Sequence, residues 1–192
     1  MGPLISARAR AVLDRLYAED ARQRAAGLPP SERTRNIDRE SGRFLALVAA
    51  GTGAREVFEA GSSNGVSTIW LAGGAALNGG SVTGSEIIPG RAAAANANLA
   101  EAGLAGNARV LAGDAMALLR EFGRPIDLLF IDAEKDEYSD LFAAGVGLVR
   151  PGGVILADNV VSHDCSAFQR MIRERDDVES VTLPIEWIVK LR

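Results

Sequence analysis

The segment Val57-Phe58-Glu59-Ala60-Gly61-Ser62-Ser63-Asn64-Gly65-Val66-Ser67 joins a short apolar run to two glycines four residues apart, and a helical pattern continues from it to Ala76. That order predicts a strand, a tight turn and then a helix over 65–76. Glycine lets the backbone turn sharply and approach a ligand. The helix N-terminus that follows offers free N–H groups and a partial positive charge to an anion. Two familiar phosphate motifs are excluded. A dinucleotide fingerprint, G-x-G-x-x-G, would need glycine where Ser63 and Val66 stand. No Gly-Lys-Ser or Gly-Lys-Thr occurs, so there is no Walker A loop. The segment is either a ligand cradle or a plain strand-to-helix turn.

Outward from this loop, short apolar runs alternate with helical stretches. Strands are predicted at 57–60, 81–86, 108–112, 126–132 and 153–158, with helices at 65–76, 91–102, 115–122 and 138–149. Leu128-Leu129-Phe130-Ile131 and Val154-Ile155-Leu156 are apolar on both faces, as strands covered by helices on each side require. The alternation implies right-handed βαβ units and a doubly wound, mainly parallel α/β sheet. Upstream, Ile5, Ala9, Val12 and Leu16 fall at helical spacing, and a second helix with Phe44, Leu45 and Val48 on one face is predicted from Asp38 to about Gly51. Downstream, Phe168, Met171 and Ile172 suggest a helix. Two further runs, 178–183 and 185–191, read as a closing antiparallel pair. The whole chain, 1–192, reads as one domain, with N-terminal helices in 1–53 and the α/β core in 54–192.

Composition narrows the function classes. Hydrophobic residues make up 47% of the 192 and charged residues 24%, enough for one soluble domain with a sizeable core. With 21 Lys+Arg against 25 Asp+Glu and no basic stripe, a nucleic-acid partner is not expected. No apolar run reaches the ~18 residues that span a bilayer, so no membrane partner is expected and the cytoplasm is the default compartment. The single cysteine, Cys165, and the single histidine, His163, exclude an intrachain disulfide, a cysteine-rich metal site and a His₂ or His₃ zinc site.

Open α/β sheets bind ligands at the carboxyl ends of their strands. Glu86 ends the second strand and could accept both hydroxyls of a ribose, or be a solvated strand end. Asp114 follows the third strand and could meet an adenine amino group, or cap the next helix. The fourth strand ends in Phe130-Ile131-Asp132-Ala133-Glu134-Lys135-Asp136-Glu137-Tyr138 and the fifth in Ala157-Asp158-Asn159-Val160. Adjacent parallel strands bring Asp132, Asp158 and Asn159 to one rim, an all-oxygen set suited to Mg²⁺ or another divalent ion such as Mn²⁺ or Ca²⁺. Without a cation the two carboxylates repel; the alternative is loop capping with no metal. Lys135 in that pocket is a candidate general base or a solvated lysine. His163 and Cys165 follow on the ligand side, where a chemical role is not expected of either. Trp187 could be core or could edge a pocket.

These residues resemble a known group, the class I S-adenosylmethionine-dependent O-methyltransferases of the catechol and caffeoyl-CoA type, over roughly positions 37–191. Residues 130–138 are similar to that family's F-[IV]-D-A-[DE]-K-x-x-Y, 157–160 to A-D-N-[VT], and Glu59-Ala60-Gly61 with Gly65 and Ser67 to E-[IL]-G-x-x-x-G-x-S. The resemblance implies a seven-stranded Rossmann-like sheet with an antiparallel last strand, and a homodimer. It implies that S-adenosyl-L-methionine lies against Glu59, Gly61, Ser62, Gly65 and Ser67 at its methionine end, Glu86 and Ile87 at the ribose and adenine, and Asp114 and Ala115 at the adenine edge, with Asp132 close by. It further implies a metal on Asp132, Asp158 and Asn159, Lys135 as the general base, and a small phenolic acceptor with two neighbouring hydroxyls. Ala60 in place of Ile or Leu, and Leu183-Pro184-Ile185-Glu186-Trp187 where relatives carry Asp-Gly, depart from the pattern. The competing readings are a metal-independent methyltransferase, a dinucleotide-dependent oxidoreductase and a non-catalytic binding module.

Overall fold

In a computed structural model, residues 4–161, 164–183 and 185–190 are described. His163 and the Trp187 side chain lie outside the described part. Helix α1 (Ala7–Ala25) starts where Ser6 accepts the Ala9 N–H, and it buries Ala9, Val12, Leu13 and Leu16. Helix α2 (Arg39–Gly51) is capped by Asp38, which accepts the N–H groups of Glu40 and Ser41. Of the face predicted for it, Leu45 and Val48 are buried and Phe44 is partly so.

The core alternates as the hydrophobic pattern requires: β1 (Glu56–Ala60), α3 (Val66–Ala76), β2 (Ser81–Glu86), α4 (Pro89–Ala102), β3 (Ala108–Ala112), α5 (Ala115–Arg120), β4 (Ile126–Ile131), α6 (Tyr138–Gly145) and β5 (Val149–Asp158). Helix α7 (Ser166–Arg173) and strands β6 (Val178–Thr182) and β7 (Ile185–Lys190) close the chain. The sheet order is β3-β2-β1-β4-β5-β7-β6. The first five strands in that order are parallel; β7 runs antiparallel to β5 and to β6.

Two departures concern boundaries. Strand β5 begins at Val149, four residues before the predicted start, because Pro151-Gly152-Gly153 reads as a turn. Val149 pairs with Ile126 and Val154 with Leu128, so the residues between bulge out of register and the strand continues through them. Helix α6 ends at Gly145 and not at Val149, since Val149 is taken into the sheet.

Strand periodicity divides the core into two layers. Val57, Leu128, Phe130, Val154 and Leu156 face one layer with α1–α4, while Phe58, Leu129, Ile131, Ile155 and Ala157 face the other with α5–α7. The order of connection reverses between β1 and β4. A crevice therefore opens at the carboxyl ends of these neighbours, where the ends of β1 and β4 carry Gly61 and Asp132.

Candidate active site

A cleft of about 1040 Å³ occupies this crevice. Gly61 leaves β1 with φ +91°, and a Cβ on it would sit 2.2 Å from the Asp132 carbonyl oxygen. The loop tip is also left-handed at Ser63, φ +48°. Its N–H donates to Glu86 Oε2 at 2.9 Å and its hydroxyl to the Thr34 carbonyl at 2.9 Å. Gly61, Glu86, Ile87, Asp114, Ala115, Asp132, Lys135, Asp158 and Asn159 all line the cleft. Ser62 and Ser67 line a separate void of about 10 Å³ that shares Gly61, Ser63 and Asp132 with it.

Glu59 and Gly65 border neither space; they shape the loop from behind. Glu59 is fully buried on β1, where the hydroxyls of Ser62, at 2.6 Å, and Thr68 donate to its Oε2. Burial pushes its carboxyl above the usual range, against the pull of the Ser62, Ser67 and Thr68 hydroxyls. Gly84, its partner on β2, makes this possible: a Cβ there would lie 2.1 Å from Ser62 Oγ.

Glu86 is buried at the end of β2, with Oε1 accepting the Ile88 N–H at 2.8 Å and Oε2 the Ser63 N–H. Each carboxylate oxygen keeps a second acceptor site, so both remain able to bind a diol. Ile87 is 68% exposed beside it, an apolar surface open to the cleft. Asp114 caps α5 by accepting the Ala117 N–H at 2.8 Å. The capping alternative therefore holds, and Asp114 lines the cleft as well.

On the other side stand the tips of β4 and β5. Asp158 is buried, and its carboxyl is pushed up to about 6, by burial first and then by the Asp132 charge. Burial likewise raises Asp132, opposed by the Lys135 ammonium, whose Nζ stands 3.6 Å from Asp132 Oδ1. Asn159 is left-handed, φ +59°, and its amide donates to Asp158 Oδ2 at 2.9 Å. Lys135 also contacts the Tyr138 hydroxyl and lies 4.3 Å from that ring's centre. Among the described residues no three His, Cys, Asp or Glu side chains are grouped to hold a metal. The expected set differs in kind, because it combines two carboxylates with an amide.

The family sequence profile for O-methyltransferases matches residues 5–185. The chain belongs to the O-methyltransferase family. A catechol O-methyltransferase of Mycobacterium tuberculosis is 38% identical over 146 residues, which cover 76% of this chain and 64% of that one. The chain thus spans less than two thirds of that relative's length. Among solved structures, cofactor-bound Rv0187 from MTB superposes with a TM-score of 0.81 at 30% identity, covering 94% of this chain and 89% of that one. The O-methyltransferase of Bacillus cereus in complex with SAH gives 0.79 at 29% identity, covering 94% and 91%.

The sequence suggests the N-terminal helices as a roof or a dimer contact but singles out no residue of this wall of the cleft. Pro30, Thr34, Arg35, Asn36, Ile37 and Ser41, between α1 and the first turn of α2, roof it. Arg91 of α4 holds this roof by donating to the carbonyl of Ser31 at 3.0 Å, and Ser63 holds it at Thr34. Arg35, left-handed at φ +46°, reaches across to Glu134 at 2.6 Å. The stretch has no apolar periodicity, and its one strong signal, Leu28-Pro29-Pro30, reads only as the end of a helix. Among the described residues no helix is long and apolar enough to cross a membrane.

The donor set fits a hard dication. Two carboxylates and an amide stand at one rim, and both carboxylates hold protons more strongly than usual, chiefly because burial opposes ionisation, joined at Asp158 by the charge of Asp132 and at Asp132 by that of Glu59. A divalent ion relieves that opposition, and oxygen ligands are those Mg²⁺, Mn²⁺ and Ca²⁺ take.

Proposed function

We propose that this chain is an S-adenosylmethionine-dependent, divalent-metal-dependent O-methyltransferase for a small, vicinal dihydroxy aromatic acceptor. One observation carries the reading: Asp132, Lys135, Asp158 and Asn159 line the same cleft as Gly61 and Glu86. The similar structures of Rv0187 and of the B. cereus O-methyltransferase hold bound cofactor and SAH, which supports the donor. The name of the M. tuberculosis relative supports a catechol-like acceptor.

Glu86 would accept the ribose hydroxyls, with Ile87 against the adenine and Asp114 and Ala115 at its edge. Gly61, Ser62 and Ser67 would hold the amino-acid end, with Gly65 and Glu59 shaping the loop behind them. Asp132, Asp158 and Asn159 would hold the metal, which supplies a Lewis acid that favours the ionised form of a neighbouring hydroxyl. Lys135, in its neutral amine form, would take the hydroxyl proton at Nζ. The acceptor oxygen then forms its bond to the methyl carbon as the carbon–sulfur bond breaks, and the sulfonium leaves as a neutral thioether. The cleft's own contribution is alignment of oxygen, carbon and sulfur.

Titration calorimetry with S-adenosylmethionine tests the donor, and absence of binding would remove the reading. Asp158→Ala is expected to abolish metal-stimulated turnover of catechol while leaving donor affinity within about threefold. Turnover that resists EDTA would instead favour a metal-independent methyltransferase.

A further inference from the structure

Tyr138 is the largest fully buried side chain next to the cleft, yet the chemistry above leaves its hydroxyl without a task. The hydroxyl sits at a junction. It lies 3.0 Å from the Asp158 carbonyl oxygen and 3.2 Å from that of Ile131, the last residues of β5 and β4. A phenol carries one proton, and a carbonyl can only accept. The proton is therefore committed to the strand tips, and toward Lys135 the phenol oxygen can only accept. Lys135 Nζ meets that oxygen, and has the Ala133 carbonyl at 3.4 Å as a second acceptor. Two of the three positions around the nitrogen are thus directed at acceptor-only groups. The third is left facing Asp132 Oδ1, at 3.6 Å, and the cleft.

We infer that Tyr138 is a positioning residue: its hydroxyl, anchored on the ends of β4 and β5, fixes the orientation of Lys135 Nζ so that the nitrogen's reactive position points into the cleft. Edge-on packing against Phe168, with ring centres 5.6 Å apart, holds the phenol in place. This inference rests on the base role given to Lys135 above.

Tyr138→Phe keeps the ring and the Phe168 contact and removes only the oxygen. Single-turnover methyl transfer to catechol is expected to slow about tenfold or more, with KM for donor and acceptor within about twofold. In a Lys135→Met background the same change is expected to cost nothing further, because the hydroxyl acts only through Lys135. Equal losses in both backgrounds, or no loss in either, would overturn the inference. If Lys135→Met alone retained full rate, the base role itself would fall, a distinguishable result that takes the inference with it. A second readout needs no turnover. In the protein without donor or metal, the side-chain ¹⁵Nζ resonance of Lys135, identified by its loss in Lys135→Met, is expected to be sharp in the wild type and exchange-broadened in Tyr138→Phe; an unchanged resonance counts against the inference. Should Tyr138→Phe not fold, 4-aminophenylalanine at 138 still donates to the carbonyls but accepts poorly. It is expected to slow transfer similarly, and wild-type rates with it would refute the claim.

Discussion

Gly61 and Asp132 meet backbone to backbone: a Cβ on Gly61 would lie 2.2 Å from the Asp132 carbonyl oxygen, and the Asp132 N–H already donates to the Ala60 carbonyl at 2.9 Å. The loop proposed to hold the donor and the proposed metal rim are therefore one rigid joint. A side chain at 61 has only main chain to push against, and its φ of +91° is unfavourable to any residue but glycine. Gly61→Ala is expected to cost about 2–4 kcal/mol of stability. At roughly 2–4 °C per kcal/mol for a domain of this size, the thermal midpoint should fall by about 5–15 °C, with loss of SAH binding by calorimetry. A wild-type melt would show that the loop and the rim are separable.

Asp158 sets a pH dependence with a definite sign. Its folded carboxyl is raised to about 6, above the ordinary 3.8, by burial and by Asp132. Between those values the folded protein holds more protons than the unfolded chain, so metal-free stability falls as pH rises from about 4 to about 6. Below that window the protonated group causes no penalty; above it the full penalty remains. Thermal melts in EDTA across pH 4–8 should show this decline, and Asp158→Asn should flatten it while raising the midpoint at pH 7 by a few degrees. Divalent ions compete with the same proton, so Mg²⁺ affinity should climb up to about pH 6 and then level off. An affinity independent of pH would argue against Asp158 as a ligand.

How legible this was in the chain depends on the range of the forces involved. Strands such as Leu128-Leu129-Phe130-Ile131 carry their own evidence, because burial on both faces demands an unbroken apolar run. The rim was equally accessible: once β4 and β5 are adjacent and parallel, Asp132 and Asp158 must share an end. The roof was not. Ser31, Thr34 and Arg35 are placed by contacts from Arg91, Ser63 and Glu134, all remote in sequence and polar, which leave no periodicity. Gly84 was equally silent, since glycine inside a strand has no pattern of its own and is required only by what the neighbouring strand buries.

Asp127 marks the opposite end of the sheet and gives a control. Its Oδ2 accepts the N–H groups of Arg55 and Glu56 at 2.7 and 2.8 Å, and Arg150 donates to its Oδ1. Burial acts to raise its carboxyl, but these donors outweigh it and hold it below the usual range. Asp127 thus pins the starts of β1 and β5 to β4. Asp127→Ala leaves two N–H groups and a guanidinium without their acceptor, and is expected to cost about 2–3 kcal/mol. KM and kcat of the protein that remains folded should stay within about twofold. A large change in KM with an unaltered melt would mean that the two ends of the sheet are coupled in a way this packing does not account for.

Gly84 and Ser62 supply the sharpest test of the buried carboxylate. A Cβ at 84 would stand 2.1 Å from Ser62 Oγ and 3.1 Å from Glu59 Oε2, so the Ser62 hydroxyl must swing away and release Glu59. The hydroxyl can move, unlike main chain, so the stability cost should be modest, about 1–2 kcal/mol. Glu59 then loses one of its hydroxyl donors and the loop carrying Ser62 shifts. SAH affinity should therefore fall about tenfold, more than the melt alone suggests. Removing the hydroxyl relieves the clash. Gly84→Ala combined with Ser62→Ala should accordingly melt above Gly84→Ala alone, while SAH affinity stays low because Ser62 no longer donates to Glu59. If the double variant regained full affinity, the Glu59–Ser62 hydrogen bond would have no part in shaping the donor loop.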